Sequence, residues 1–67
     1  MYDEVWAVDA ERIKRFFKDH PDEVTVIPLP DRTLGSMTMP QTRIIITGDE
    51  ADRLYHRFYL SFITAGG

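Results

Sequence analysis

Apolar positions in the last third of the chain recur every three or four residues, which is the spacing of one face of an α-helix. The stripe consists of Ala51, Leu54, Tyr55, Phe58 and Phe62. Just before it, Thr47 and Glu50 match a capping box, in which each side chain bonds the backbone amide of the other residue. We therefore predict a capped helix with a surface pair between Asp49 and Arg53. Gly66 stands where such a helix would end.

Two β-branched runs lie before this helix and predict strands. The first, residues 24–29, contains Pro28, which has no N–H to donate to a ladder and so favours an edge position. The second, residues 42–47, contains three consecutive isoleucines at positions 44–46. Such a run is typical of a strand that is covered on both faces, or nearly so.

The segment between these strands, residues 30–40, contains one glycine and begins and ends with proline. This composition predicts a linker and argues against a tight two-residue hairpin. An extended piece at residues 34–39 would add a strand and make the sheet a three-stranded meander.

The N-terminal third supports two interpretations. In the first, residues 4–8 form a strand and Asp9 caps a helix that runs from Ala10 to about His20. In the second, one helix starts near Asp3, because a stripe at helical spacing extends through the whole segment. That stripe is Tyr2, Trp6, Ala10, Ile13 and Phe17. Residues 4–8 include mediocre helix formers that are good strand formers, which favours the first interpretation.

Together these elements predict one α+β domain over residues 1–67. In both interpretations Ile13, Phe16 and Phe17 face the core, and Pro21 ends the first helix. We expect two layers: a small, mainly antiparallel sheet of two or three strands, covered on one face by both helices. The element order is β-α-β-β-α or α-β-β-α.

The composition limits how such a domain gains stability. The chain has 67 residues and no cysteine, so disulfides and thiolate zinc sites are excluded. A core of this size supplies only about 3 to 5 kcal/mol, and small domains often gain more from a partner chain. We therefore expect a protein partner or a homo-oligomer.

Net charge bears on the partner and the location. The formal charge is −3, whereas binding to phosphate backbones depends on clustered Lys and Arg, so nucleic acid is not an expected partner. The N-terminus lacks a basic segment followed by an apolar run, and no stretch reaches the roughly 20 apolar residues of a membrane span. With the absence of cysteine, this favours a cytoplasmic protein without a membrane segment.

Candidate catalytic groups are few. The two histidines are His20 and His56, and Ser36 and Ser61 lie in no nucleophile motif. Asp52 and His56 are four residues apart on the predicted helix, but two ligands do not complete a metal site. We expect no enzymatic activity, no catalytic residue, no metal and no cofactor.

The predicted first helix has a basic outer face, formed by Arg12, Lys14, Arg15 and Lys18. This face could contact phosphate or an acidic protein. Pairing of Glu11 with Lys14 or Arg15 favours an ordinary solvated surface instead.

Apolar residues that the predicted core does not bury are the most informative candidates for a binding surface. On the second helix, some lie at the margin of the core stripe or on its far side, near His56. The linker adds flexible methionines, which are common at adaptable binding surfaces. The predicted interface consists of His56, Tyr59, Leu60 and Ile63 on the helix with Leu34, Met37 and Met39 in the linker. We expect a non-enzymatic protein-interaction module, such as an inhibitor, adaptor or accessory subunit.

Two other functions stay open. The first is an acidic mimic of nucleic acid, which requires a set of carboxylates to share one face: Asp19, Asp22, Glu23, Asp49, Glu50 and Asp52. The second follows from the C-terminal sequence at residues 64–67, which ends in Gly66 and Gly67, and from the Gly-Asp-Glu sequence at residues 48–50. These resemble ubiquitin-like sulfur-carrier proteins. The resemblance implies a β-grasp fold and a Gly67 carboxylate that is adenylated and converted to a thiocarboxylate, whereas the pattern before Gly66 predicts a helix.

Overall fold

The N-terminal segment contains a strand followed by a helix, as in the first of the two interpretations, but the strand spans Tyr2–Trp6 rather than residues 4–8. In the computed structural model, which describes residues 1–65, the element order is β-α-β-β-α. The elements are β1 (Tyr2–Trp6), α1 (Ala10–Phe16), β2 (Val24–Leu34), β3 (Met37–Ile46) and α2 (Ala51–Ala65). The predicted α+β class is confirmed.

The three strands form one antiparallel sheet in the order β1-β3-β2. Strand β3 pairs on one side with β1, from Tyr2 opposite Ile46 to Trp6 opposite Thr42. On its other side it pairs with β2 along its length. Because β1 and β2 are both antiparallel to β3, they run parallel to each other, with α1 connecting them across β3. The predicted meander is wrong, because the third strand comes from the N-terminus rather than from the linker.

The predicted linker is a β-hairpin with a two-residue turn, so that prediction is also wrong. Leu34 pairs with Met37, and only Gly35 and Ser36 lie between them. Gly35 has φ +63°, which suits the first central position of a tight hairpin turn. The prolines are tolerated because β2 is an edge strand, and because β1 ends opposite Thr42 and leaves that side of Pro40 unpaired.

Alternate residues of β3 define the two faces of the sheet. Thr42, Ile44 and Ile46 are buried beneath the helices, whereas Ile45 points to the other face and is half-buried. In the described residues both helices pack on one face, so the expectation that β3 is covered on both faces is wrong. The core consists of Val8, Ile13, Phe17, Val24, Ile44, Ile46, Ala51, Leu54, Phe58 and Phe62.

Helix α1 is shorter than predicted. It ends at Phe16, and i→i+3 bonds from Lys18 to Arg15 and from His20 to Phe17 follow in place of further helical turns. Asp9 occupies the N-cap position with extended backbone, but its side chain makes no capping hydrogen bond.

Helix α2 begins at Ala51 without the predicted capping box. The backbone N–H of Thr47 donates to the Glu23 carbonyl at 2.8 Å, and the Thr47 hydroxyl lies 3.4 Å from the same oxygen. The Glu50 carboxylate accepts from Arg53 at 2.9 Å instead of reaching back to Thr47. Arg53 therefore pairs with Glu50 rather than with Asp49. The predicted end at Gly66 lies outside the described residues.

Candidate functional site

The side chains considered for catalysis do not converge in the described part of the chain. His20 lies 4.0 Å from a Glu23 carboxylate oxygen, and His56 is exposed on α2. Asp52 accepts a hydrogen bond from the Tyr2 hydroxyl at 2.6 Å. Among residues 1–65 no group of three potential metal ligands is found.

The helix part of the predicted interface lies on the outer surface of α2. Tyr59, Leu60 and Ile63 are 41%, 55% and 50% exposed, and His56 is exposed beside them. We call this group the α2 outer face. Tyr59 lies at its inner border, where its ring meets the Trp6 ring edge-on at 6.0 Å between centroids.

The hairpin part of the predicted interface lies on the opposite side of the sheet. Because residues of β3 alternate between faces, Met37 and Met39 share the face of Ile45, away from the helices. Leu34 is paired with Met37 and therefore shares that face. The structure brings these three residues together, but it does not bring them to the α2 outer face.

The face of the sheet turned away from the helices, which we call the open face, is largely apolar. Its apolar members are Val5, Ile27, Leu29, Leu34, Met37, Met39 and Ile45. Three of them, Val5, Leu34 and Met37, are 53%, 48% and 62% exposed. An antiparallel sheet with one face on the core usually carries polar residues on the other, so this face departs from the common pattern.

A β-bulge makes the open face continuous along the hairpin. The register shifts between Leu29 and Arg32, so that Pro30 and Asp31 together stand opposite the single residue Pro40. The extra residue returns Leu34 to the same face as Leu29. The Gln41 side chain donates to the Pro30 carbonyl at 3.3 Å, which satisfies a backbone group at the bulge.

One ion pair crosses the open face between β1 and β3. The Arg43 guanidinium donates to both carboxylate oxygens of Asp3, with Nε at 2.8 Å from Oδ1. These hydrogen bonds lower the pKa of Asp3 and raise the pKa of Arg43. The pair is neutral as a whole, so Arg32, which stands opposite Met39, contributes the remaining formal charge among the paired residues of this face.

The sequence contained a signal for the open face. Ile27 and Leu29 are alternate residues of β2, and Met37, Met39 and Ile45 are separated by even numbers of residues in β3, so each set lies on one face of its strand. The prolines of the hairpin obscure this alternation, and the position of a bulge cannot be found from periodicity alone.

On the helix side, a cluster of aromatic and acidic residues joins β1 to α2. The rings of Tyr2 and Tyr55 are stacked at 4.1 Å between centroids. The Glu4 carboxylate accepts from the Tyr55 hydroxyl and from Trp6 Nε1, each at 2.9 Å. Burial, and then the hydrogen bond to Glu4, raise the pKa of Tyr55 to about 12. The hydrogen bond to Asp52 raises the pKa of Tyr2.

The carboxylates considered for nucleic-acid mimicry come partly together. The bond from Thr47 to the Glu23 carbonyl places Glu23 beside the segment that precedes α2. Glu50 in that segment is already paired with Arg53. A single acidic face is therefore not established by these contacts.

The resemblance to sulfur-carrier proteins implies a β-strand before the C-terminal glycines. The structure has a helix there instead, because α2 continues to Ala65. Gly66 and Gly67 lie outside the described residues. No family model, curated protein or solved structure matches the chain. No helix among the described residues has the length and apolar character needed to cross a membrane.

Proposed function

We propose that this protein is a non-enzymatic protein-interaction module that binds its partner mainly through the open face. The observation that supports the proposal is the set of seven apolar side chains on the side of the sheet that the helices leave uncovered. The cysteine-free composition fits action in the cytoplasm.

The hairpin extends the open face beyond the three-stranded part of the sheet. The molecule measures 41 × 22 × 19 Å, and the strand pairs beyond Leu29 and Gln41 extend past the end of β1. An isolated two-stranded ribbon is only marginally stable in water, so a partner that covers Leu34, Met37 and Met39 would also stabilise the hairpin. Methionine side chains adapt to irregular surfaces, which suits a contact of this kind.

The open face is long and narrow. It follows the eleven residues of β2 and the ten residues of β3, and β1 adds a third strand along part of that length. The occupant is another protein or a second copy of the chain. The α2 outer face is a second apolar surface on the other side of the molecule.

Neighbouring hairpin residues offer a matched test. Met37 lies on the open face, whereas Thr38 points to the helix side, and both are exposed. The wild-type protein is purified with its partner from the native host by cross-linking, and affinity is then measured with both recombinant proteins. We expect Met37→Glu to weaken binding at least about tenfold, because a charge replaces a buried apolar contact. Thr38→Glu should change it little.

Light scattering on the purified protein distinguishes the two kinds of occupant. A mass of 7.8 kDa indicates a monomer, and twice that mass indicates self-association. The double variant Leu60→Glu, Ile63→Glu tests the α2 outer face in the same assays. A monomeric protein whose partner binding is unchanged by Met37→Glu would contradict the proposal, whether or not the α2 variant weakens binding.

A further inference from the structure

A cleft between α1 and β2 lies apart from the open face. Its volume is about 230 Å³, and it is lined by Lys14, Phe17, Lys18, Pro21, Val24 and Val26. The two valines belong to the helix side of β2, so the cleft and the open face are on opposite sides of that strand. The cleft therefore has an apolar floor and a basic rim.

The outer edge of β2 runs along this cleft, and no strand in residues 1–65 pairs with it. The Glu23 carbonyl accepts from Thr47, on the β3 side, whereas the Val24 N–H donates to the His20 carbonyl at 3.2 Å. The backbone groups of Val24 are thus turned away from β3. In an antiparallel strand the backbone N–H and C=O groups of successive residues point alternately to one side and the other. The N–H and C=O of Val26 therefore also face outwards, beside the cleft.

Two prolines limit the length of this edge. Pro28 and Pro30 have no N–H, and the bulge interrupts the strand after Leu29. The part that can accept another strand is therefore residues 24–27, which spans about 13 Å. This length suits a short extended segment and protects the chain from long edge-to-edge pairing.

Two lysines place positive charge on the α1 side of the cleft. Lys14 lies in the last turn of α1, and Lys18 lies in the turn that follows the helix. Alternate residues of a strand share a face and are about 6.7 Å apart, so an added strand can present more than one side chain to these lysines. Lys14 makes an exposed contact with Glu11 at 3.9 Å, a weak interaction at this exposure. Lys18 makes no ion pair with a carboxylate of the described residues.

We infer that this cleft and the free edge of β2 bind an extended acidic peptide segment as an added strand. The Val26 N–H and C=O pair with the backbone of the segment. Alternate carboxylate side chains point to the helix side and reach Lys14 and Lys18, while their methylene groups cover Phe17 and Val26. The intervening side chains lie beside Ile27 on the open face. The peptide sequence that fits this site is therefore an alternation of acidic and apolar residues.

The test uses an acetylated, amidated hexapeptide of alternating Val and Glu, titrated into the ¹⁵N-labelled full chain. We expect amide chemical shifts to change along residues 24–27 and at the end of α1. Lys18→Glu should raise the peptide Kd about tenfold, because it replaces an attraction by a repulsion. Arg15→Glu makes the same charge change on α1 outside the cleft, so it serves as the matched control.

Two further peptides separate backbone pairing from simple charge attraction. A Val and Lys version should not bind, and a version with alternate backbone nitrogens methylated should bind at least about tenfold more weakly, because it loses donors. The inference is overturned by the absence of shifts at millimolar peptide, by equal effects of Lys18→Glu and Arg15→Glu, or by shifts confined to the hairpin. Because Met37 lies outside the cleft, Met37→Glu should leave peptide binding unchanged, which keeps this result separate from the open-face proposal.

Discussion

Thr42 is a polar side chain in the middle of the core, 1% exposed, and its hydroxyl bonds the segment that follows β1. Thr42 Oγ1 donates to the Val8 carbonyl at 2.6 Å. Val8 lies between β1 and α1, so this bond fastens the connection to the central strand. Because Thr42 and Ile44 are alternate residues of one strand, the sequence predicts that the Thr42 side chain points into the core. No local pattern identifies its acceptor, which is 34 residues away in the chain.

Replacing Thr42 tests that contact. Thr42→Val keeps the shape of the side chain but leaves the Val8 carbonyl without its donor, so we expect the free energy of unfolding to fall by about 1–3 kcal/mol. Thr42→Ser keeps the hydroxyl and loses one methyl group, which costs about 1 kcal/mol. Urea unfolding of the three proteins measures the difference. A Val variant as stable as wild type would show that the hydroxyl is dispensable.

The hairpin turn shows why the hydrophobic pattern predicted a linker at residues 30–40 instead of two paired strands. Gly35 and Ser36 between two extended runs are a hairpin signal, but the prolines on either side point to a linker instead. A proline is destabilising in a strand only where its N–H is needed. At Pro28, Pro30 and Pro40 the neighbouring edge is free or bulged, which depends on the strand order and not on local sequence.

Gly35 provides the test at this scale. Its φ is +63°, and a Cβ added there would meet no atom within 4 Å, so the cost of a side chain comes from the backbone alone. We expect Gly35→Ala to lower the free energy of unfolding by about 1–2 kcal/mol. Ser36 does not have positive φ, so Ser36→Ala should have little effect. Equal stability of the two variants in urea would contradict the assigned turn.

The helices were easier to predict than their ends. The α2 stripe is correct because a 3.6-residue period is a property of the segment itself: Leu54, Phe58 and Phe62 are all buried. The capping box failed because Thr47 has a tertiary partner, the Glu23 carbonyl, that the local motif cannot include. Local patterns therefore predicted the elements, and long-range contacts set their boundaries.

For the molecule as a whole, one sheet carries two different apolar faces. The helices cover one face, and its residues were recognised from sequence as core. The other face was recognised only in part, through Leu34, Met37 and Met39, because its continuity depends on the bulge and on the parallel placement of β1 and β2 around β3. The cleft beside Lys14 and Lys18 could not be predicted at all, since it requires the β2 edge to lie under α1.

The contact between Tyr55 and Glu4 links the stability of the whole domain to pH. The pKa of Tyr55 is raised to about 12 in the folded protein, from 10.0. A raised pKa means that folding favours the protonated hydroxyl. Its contribution to stability is therefore complete below pH 10 and is lost as the pH rises from 10 through about 12.

Tyr55→Phe isolates this contribution. Below pH 10 we expect the variant to be less stable than wild type by about 1–2 kcal/mol, because the phenol no longer donates to the Glu4 carboxylate. Between pH 10 and 12 the difference should shrink, because Tyr55 of the unfolded wild type ionises from pH 10 upwards while folded Tyr55, with a pKa of about 12, stays protonated, so unfolding of the wild type becomes more favourable. Urea unfolding at pH 8, 10 and 11.5 measures the difference, with Tyr59→Phe on the exposed side of α2 as the control. Stability curves that stay parallel across this range would show that the hydroxyl of Tyr55 does not contribute through Glu4.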